Sequence, residues 1–411
     1  MGRVGYYCGS IHITPNSAWI TDNAFVTYFS ESNIYIRFLY WLLKATNLQE
    51  NNNATAQPVI SGGKVYPIVV CLPPLTEQKR IVEKCDRLLS TCDEIEKRQQ
   101  QRQQSILRMN ESAIAQLLSS QNSDEFRQHW RRICNNFDLL YSIPETIPKL
   151  RQAILQLAVQ GKLVRQDPND EPASLLLEKI KVKKEKLIQD KKLKETPLLP
   201  AITQNEIEYT IPNTWCWARL ANICEFITDG THYTPKYTEH GRIFLSSQNV
   251  KPFSFMPNNH KFVSEEAYQG YIKNRKPEFE DILLTRVGAG IGEAAVIDQK
   301  LEFAIYVSLG LLRPFKEFID PYYLVIWLNS PIGTKHSQKN TYGKGVSQGN
   351  LNLGLIRGFV VSVPPLAEQK RIVEKCDRLM FLCDTLEAKL KQGRDSSEKL
   401  MEVAARQVLA V

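Results

Sequence analysis

After a Pro-Pro pair at 73–74, apolar residues fall at Ile81, Cys85, Leu88, Cys92 and Ile95, in steps of four, three, four and three. That spacing lines one face of an α-helix with a heptad seam. The prolines suit a helix start, where no backbone N–H is needed, and they block extension backwards. The pattern returns after Pro364-Pro365 with Ile372, Cys376, Leu379, Cys383, Leu386 and Leu390. In the first copy a polar run, KRQQQRQQS (97–105), interrupts the seam and reads as a solvated helical stretch; apolar periodicity resumes at Ile106, Met109, Ala113 and Leu117. A continuous helix over 75–118 is on the order of 65 Å long, too long for one compact core, so it reads as a spacer. The two matched seams predict helices that pack on each other, parallel or antiparallel. The cysteines in them read as small core residues.

The seams belong to a longer repeat. PPLTEQKRIVEKCDRLLSTCDEIE (73–96) matches PPLAEQKRIVEKCDRLMFLCDTLE (364–387) at 18 of 24 positions, with an offset of 291. At that offset Glu111, Ala113, Gln116 and Leu118 recur as Glu402, Ala404, Gln407 and Leu409. Upstream, Gln57 falls on Gln348 and Val70 on Val361. RVGYYCGSIHI (3–13) bears a weaker likeness to RVGAGIGEAAV (286–296), and Trp41 pairs with Trp327. A globular part, a Pro-Pro step and a long helix therefore occur twice. The first globular part begins near the counterpart of Leu284 and lacks the equivalent of 206–283. It is expected to leave an open sheet edge and exposed apolar surface.

Between the repeats, 121–205 is a helical connector. Leu150, Ile154, Leu157 and Ala158 mark one helix face, with Gly161 as C-cap. Asp167–Asp170 reads as a turn, Ala173–Lys194 as a Lys-rich solvated helix, and Thr196–Pro200 as a linker. In 206–363, IFLSS (243–247), DILLTRV (281–287), EAAVI (293–297) and FVVSV (359–363) read as short strands, and YYLVIWLN (322–329) as a helix. Two long polar loops, TDGTHYTPKYTEHG (228–241) and NTYGKGVSQGN (340–350), separate them. Loops of this kind carry function on a rigid scaffold.

Catalytic motifs are weak. GAGIG (288–292) lacks the spacing of a dinucleotide loop and reads as a turn. FIDPYY (318–323) lacks the second proline of an amino-methyltransferase motif, and Asp320 serves better as a helix N-cap. There is no phosphate-binding P-loop, and His232 and His240 have no cluster of further ligands. The net charge of +8 is compatible with a nucleic-acid partner. Nine cysteines without a C-x-x-C pair point to reduced thiols and against a zinc ribbon. The most apolar run, IYIRFLYWLL, is ten residues long and contains Arg37, too short for a bilayer; a cytoplasmic protein with no membrane partner is expected. What remains suits nucleic acid. Thr231, His232, Lys236 and Tyr237, then Ser246, Ser247, Gln248, Asn249 and Lys251, form one polar stretch. Tyr342, Lys344, Ser347, Gln348 and Asn350 form another, and Arg286 closes a predicted strand. Amide and hydroxyl groups read base edges, and cations hold phosphates.

These features together resemble the specificity (S) subunits of type I restriction–modification systems. The likeness rests on the two Pro-Pro-Leu-x-Glu-Gln-Lys-Arg-Ile-Val phrases, LRQAILQLAVQGKLVRQDPNDEPASLLL (150–177), IPNTWCWARL (211–220) and DGTHYTPKY (229–237). It implies an α+β fold in which mixed α/β target recognition domains alternate with two long helices paired as an antiparallel coiled coil. The corresponding segments are 1–72 (part of a first recognition domain), 73–120 (first long helix), 121–205 (connector), 206–363 (complete second recognition domain) and 364–411 (second long helix). The resemblance further implies that each recognition domain reads one half of a split site on double-stranded DNA. It implies that the helices dock methyltransferase (M) subunits carrying S-adenosylmethionine, joined by restriction (R) subunits that use ATP and Mg. The chain itself is then non-catalytic and binds no cofactor. Readout is expected from 206–363 alone, or from self-association of two chains on a symmetric site. The alternatives are a coiled-coil scaffold without readout and an adenine methyltransferase, whose cofactor loop and catalytic motif are absent.

Overall fold

The computed structural model describes residues 1–15, 17–46, 59–194, 199–342 and 349–409, with backbone only at 342, 408 and 409. It is a mixed α and β chain with two 44-residue helices, Leu75–Leu118 and Leu366–Leu409. It divides into two compact units, Met1–Ser105 and Ile106–Val411. The division falls inside the first long helix, at the end of the polar 97–105 run. Every side chain from Lys97 to Ser105 is exposed.

In the first unit the β structure of 1–72 consists, among the described residues, only of isolated bridges, Gly2 to Ala24 and Val4 to Val59. Its buried apolar residues are few: Cys8, Phe38, Ile60 and Val82. Trp19, Tyr28 and Val69 stand more than 90% exposed. The helix Ile36–Ala45 is tied to the long helix by Arg37 on Asp86 (2.9 Å) and by Trp41 Nε1 donating to the same carboxylate (3.3 Å).

The second unit holds an antiparallel four-stranded sheet in the order Cys224–Asp229, Leu309–Pro314, Ile282–Thr285, Ala294–Val296. A three-stranded sheet runs Lys261–Val263, Arg242–Leu245, Phe303–Ile305, the last pair parallel. Cys216–Arg219 pairs with Val360–Val363, which leads through Pro364-Pro365 into the second long helix. The four strands read from sequence are present as 242–245, 282–285, 294–296 and 360–363. Helix Pro321–Asn329 starts as read at Asp320, whose Oδ1 accepts Tyr322 N at 2.8 Å. Gly288 and Gly292 have positive φ in the 286–293 turn, as GAGIG suggested. In the connector, helix Ile147–Val159 ends at Gly161 with φ +70°, and Lys162 N closes on Leu157 O. A Cβ at Gly161 would meet Pro212 Cγ at 2.5 Å, so glycine is required there twice over. The following helix is shorter than read, Ala173–Gln189, and most of the Thr196–Pro200 linker lies outside the described residues.

The repeated phrase explains one glutamine in each copy. Gln369 is fully buried, accepts Asp320 N (2.8 Å) and donates to Phe318 O (3.2 Å) and Pro364 O (3.0 Å). Its counterpart Gln78 accepts Tyr35 N and donates to Asn33 O and Pro73 O, all at 2.8 Å. Each glutamine thus clamps the first turn of a long helix to the loop that opens a shorter helix in its own globular part. The likeness between Trp41 and Trp327 follows from this, since each lies on the helix so clamped.

The two seams have different surroundings. Ile372, Cys376 and Cys383 are buried, and Leu379 and Leu386 half-buried, packed with helices Ile147–Val159 and Pro321–Asn329 in the main core. Burial pushes the Cys376 thiol up to about 12, which fits an inert core cysteine. In the first copy Ile81, Leu88 and Ile95 are 37%, 54% and 58% exposed, Cys92 is exposed and Cys85 half-buried. Farther along, Ile106 and Leu117 are buried as the periodicity predicts, but Met109 is exposed. Asn110 takes the buried position beside it and donates to Leu140 O at 3.2 Å.

Candidate nucleic-acid interface

Four polar loops leave one edge of the four-stranded sheet. The pairings Gly310 with Asp229, Leu309 with Thr285, and Leu284 with Ala294 put the ends of all four strands at that edge. Loop 230–241 follows Asp229 and loop 286–293 follows Thr285. The parallel strands Arg242–Leu245 and Phe303–Ile305 run into Ser246–Asn249 and Tyr306–Ser308, which join the same edge through Thr231 N to Ile305 O (2.9 Å) and Ser247 N to Ser308 Oγ (3.1 Å). The short hairpin of Thr341-Tyr342 with Asn350-Leu351 docks there through Leu351 N to Arg286 O (2.9 Å).

The loops are held by a buried ion pair. Arg286 and Asp229 are 5% and 6% exposed, and the guanidinium bonds the carboxylate directly. Arg286 Nε also donates to Leu351 O (2.9 Å), tying the hairpin to the sheet. Arg275 Nη1 donates to the backbone oxygens of Asp229 (3.0 Å) and Gly230 (2.7 Å). A Cβ at Gly230 would lie 2.1 Å from Ile305 O, so only glycine permits this approach of the loop to the second sheet.

This framework divides the expected contact residues. Arg286 is reassigned from phosphate contact to structural support, because it is 5% exposed and its Nε and Nη1 bond Leu351 O, Asp229 and Val307 O. Asn249 is 1% exposed; its amide accepts Ser246 N and donates to Met256 O (3.0 Å) and Asn259 O (2.6 Å), so it folds its own loop. Thr231 is 5% exposed and bridges the two sheets. Ser247 is half-buried beside Gly288. The side chains that face solvent are His232, Lys236, Tyr237, Gln248 and Lys251. His232 Nε2 rests 3.1 Å from Asp229, Tyr237 meets the Phe244 ring edge-on, and Lys251 stands 3.6 Å from Glu293. Lys344, Ser347 and Gln348 lie outside the described residues, as does the Tyr342 side chain. Tyr233, 81% exposed in the same loop, was not singled out from sequence, and neither were the supports Asp229, Arg275 and Ser308. The Asp-Gly at the head of DGTHYTPKY was the available signal for the buried anchor and the close approach.

The chain matches the family described as the type I restriction modification DNA specificity domain over residues 3–103 and 212–393, well over half its length. It belongs to that family. Among curated relatives, this specificity-domain protein is 29% identical over 349 residues to the type I restriction enzyme EcoEI specificity subunit of Escherichia coli, covering 82% of this chain and 57% of the relative. It is likewise 29% identical over 339 residues to the EcoAI specificity subunit of Escherichia coli, covering 80% and 56%. The specificity-domain chain therefore spans a little over half the length of these relatives. A solved structure, the HsdS subunit from Thermoanaerobacter tengcongensis, aligns with TM-score 0.38 and 19% identity over 88% of this chain and 68% of that one. No helix among the described residues is long and apolar enough to cross a membrane.

Proposed function

We propose that the chain is a DNA-reading, non-catalytic specificity component of a type I restriction–modification complex, with its reading surface at the sheet edge of the Ile106–Val411 unit. The observation that carries this is the convergence of loops 230–241, 246–251 and 286–293 and the paired strands Thr341-Tyr342 and Asn350-Leu351 on one rigid edge. Their outward side chains include the cations Lys236 and Lys251, the amide Gln248 and the aromatics His232, Tyr233 and Tyr237. Lys236 and Lys251 hold phosphates, and Gln248 addresses a base edge, where an amide pairs in bidentate fashion with adenine. Tyr233 and Tyr237 offer flat apolar surface to the duplex. One such surface reads one half-site. The methyltransferase, nuclease and ATP-driven functions lie on partner subunits, with methyltransferase subunits docking along the long helices.

The test is selection from a random duplex library at physiological salt, where nonspecific phosphate binding weakens. A defined half-site should emerge. Lys236→Ala and Lys251→Ala should each weaken binding to all sequences and reduce the salt slope by about 1. Gln248→Ala should relax preference at one position, at a cost of about 1–3 kcal/mol. Selection that yields no sequence preference, with or without methyltransferase subunits, would sink the proposal.

A further inference from the structure

The Lys-rich helix Ala173–Gln189 takes no part in the reading edge. With its C-terminal turn to Lys194 it carries eight lysines against Glu178, Glu185 and Asp190, a local net charge of +5 beside +8 for the whole chain. Its inner stripe of Ala173, Leu176 and Ile180 is buried in the main core. Lys184 Nζ donates to Ala221 O (2.7 Å), and Lys183 pairs with Glu317 (2.7 Å). Ala221 lies three residues before strand Cys224–Asp229, and Glu317 three after strand Leu309–Pro314. Both contacts are at the end of the four-stranded sheet opposite Asp229 and Leu309, where the polar loops leave. Five strand steps of about 3.3 Å put roughly 17 Å between the two ends. The densest positive charge of this unit therefore lies at the far end of the sheet from DNA laid on the reading edge.

The outer face of this helix has an order that solvation alone does not require. Leu175 and Val182, seven residues apart, stand 45% and 66% exposed along its middle. Valine is a poorer helix former than the straight-chain polar residues that suit a solvated position. Lys179 and Lys186 each follow four residues after this pair, and Glu178 and Glu185 three residues after. At about 100° per residue, the lysines line one flank of the apolar line and the glutamates the other. Lys186 and Glu185 have no ion-pair partner among the described residues. Lys179 rests on Glu171 (2.5 Å), with both side chains half exposed, so that pair exchanges readily. A shallow trough of about 690 Å³ runs along the face from Glu171 to Lys192. The chain turns back there at Lys191, which has φ +57°, and Leu193 N closes on Leu187 O (3.1 Å).

We infer that this face docks an acidic amphipathic helix of a partner protein. The occupant lays apolar side chains on Leu175 and Val182 and sets carboxylates against Lys179 and Lys186, a helix-in-groove mode of recognition. Charge complementarity selects it: the +5 segment steers acidic helices in and turns basic ones away. Duplex DNA fits this face poorly. Phosphates gain nothing from an exposed leucine and valine, and Glu178 and Glu185 repel them. The face belongs to neither long helix. Docking here does not depend on DNA reading, so either can fail alone.

The probe is a labelled synthetic helix of three heptads, with leucine along its apolar seam and glutamate beside it. It is titrated into the full chain at physiological salt and followed by fluorescence anisotropy. Saturable one-to-one binding is expected. An isomer of the same composition, shuffled so that no apolar face forms, should bind at least about tenfold more weakly. Lys179→Glu with Lys186→Glu, or Val182→Asp alone, should each weaken the probe by about tenfold, since the first opposes like charges and the second breaks the apolar line. Glu178→Lys with Glu185→Lys should tighten it about threefold or more, a gain that misfolding cannot produce. Lys236→Glu with Lys251→Glu, at the reading edge, should leave it unchanged. The proposal is overturned if the probe does not bind, or if the shuffled isomer binds equally well, which would make the face a general polyanion surface. It is overturned in favour of DNA if a nonspecific duplex displaces the probe and Lys179→Glu with Lys186→Glu weakens duplex binding to the same extent. Sedimentation showing that the chain self-associates through this face, and that Lys186→Glu disperses the assembly, would overturn it in favour of a second copy.

Discussion

Replacing Gln369 by alanine removes three hydrogen bonds at a fully buried position. The Asp320 N–H and the carbonyls of Phe318 and Pro364 then lose their partner. A buried group left unsatisfied costs about 1–3 kcal/mol, and water entering the vacated space recovers part of it. A loss of about 3 kcal/mol is expected for the Ile106–Val411 unit. At about 2–4 °C per kcal/mol for domains of a few hundred residues, this is a drop of roughly 6–12 °C in Tm. Calorimetry resolves the melting unit, and amide hydrogen exchange gives the sharper readout. The Asp320 amide should lose protection while amides of the central strand Leu309–Pro314 keep theirs. The isosteric Gln369→Glu variant should not rescue, because a carboxylate would face two carbonyl oxygens. A Gln369→Ala protein within about 0.5 kcal/mol of the native chain, with Asp320 still protected, would show that the clamp is not what holds the helix to its domain.

Other substitutions separate framework from surface. Asp229→Ala leaves Arg286 charged and buried and should cost about 3–5 kcal/mol, measured by urea unfolding, with DNA affinity lost together with the fold. Glu368→Ala leaves the Trp215 indole and the Gln166 amide without an acceptor and should cost about 2–4 kcal/mol. The same change at exposed Glu77 should stay within about 0.5 kcal/mol in the same assay. The hydrogen bond from Arg219 pulls the Glu206 carboxyl down to about 2. A depressed carboxylate stabilises fully above its ordinary value of 4.5 and loses that contribution as pH falls toward 2, so Glu206→Gln should flatten the acid limb of the stability profile in that window. Glu206 is partly solvated, which keeps the effect small.

Much of the architecture was legible because it was written twice. The Pro-Pro step, the 4-3 spacing and the shared phrase located both long helices and their common start. Periodicity reports which face of a helix is buried and is silent on what buries it. That is why the seam spacing marked Ile372 and Cys376 as buried without showing that the connector helix Ile147–Val159 packs beside them. Gln78 and Gln369 were not singled out, because apart from the prolyl carbonyl five residues back their partners are backbone groups 43 and 45 residues away for Gln78 and 49 and 51 for Gln369. Among strands, DILLTRV and FVVSV were plain. LGLLRP was not, because it has no β-branched residue and contains Gly310 and Pro314, which weaken a strand signal. In the loops, residue type suggested contact chemistry, but the same amides and guanidinia also build loops. Only burial separates Asn249 and Arg286 from Gln248 and Lys251.

The clamp at Gln369 sits at the root of a helix about 66 Å long. Such a helix is a lever. A tilt of about 3° at its root moves a straight tip by about 3.4 Å, the rise of one base-pair step along a DNA strand. A side chain with three hydrogen bonds, four residues past the Pro-Pro step, therefore helps to set an angular tolerance. Whatever is carried at the far end inherits its positional error from this joint together with the packing of the helix on Ile147–Val159.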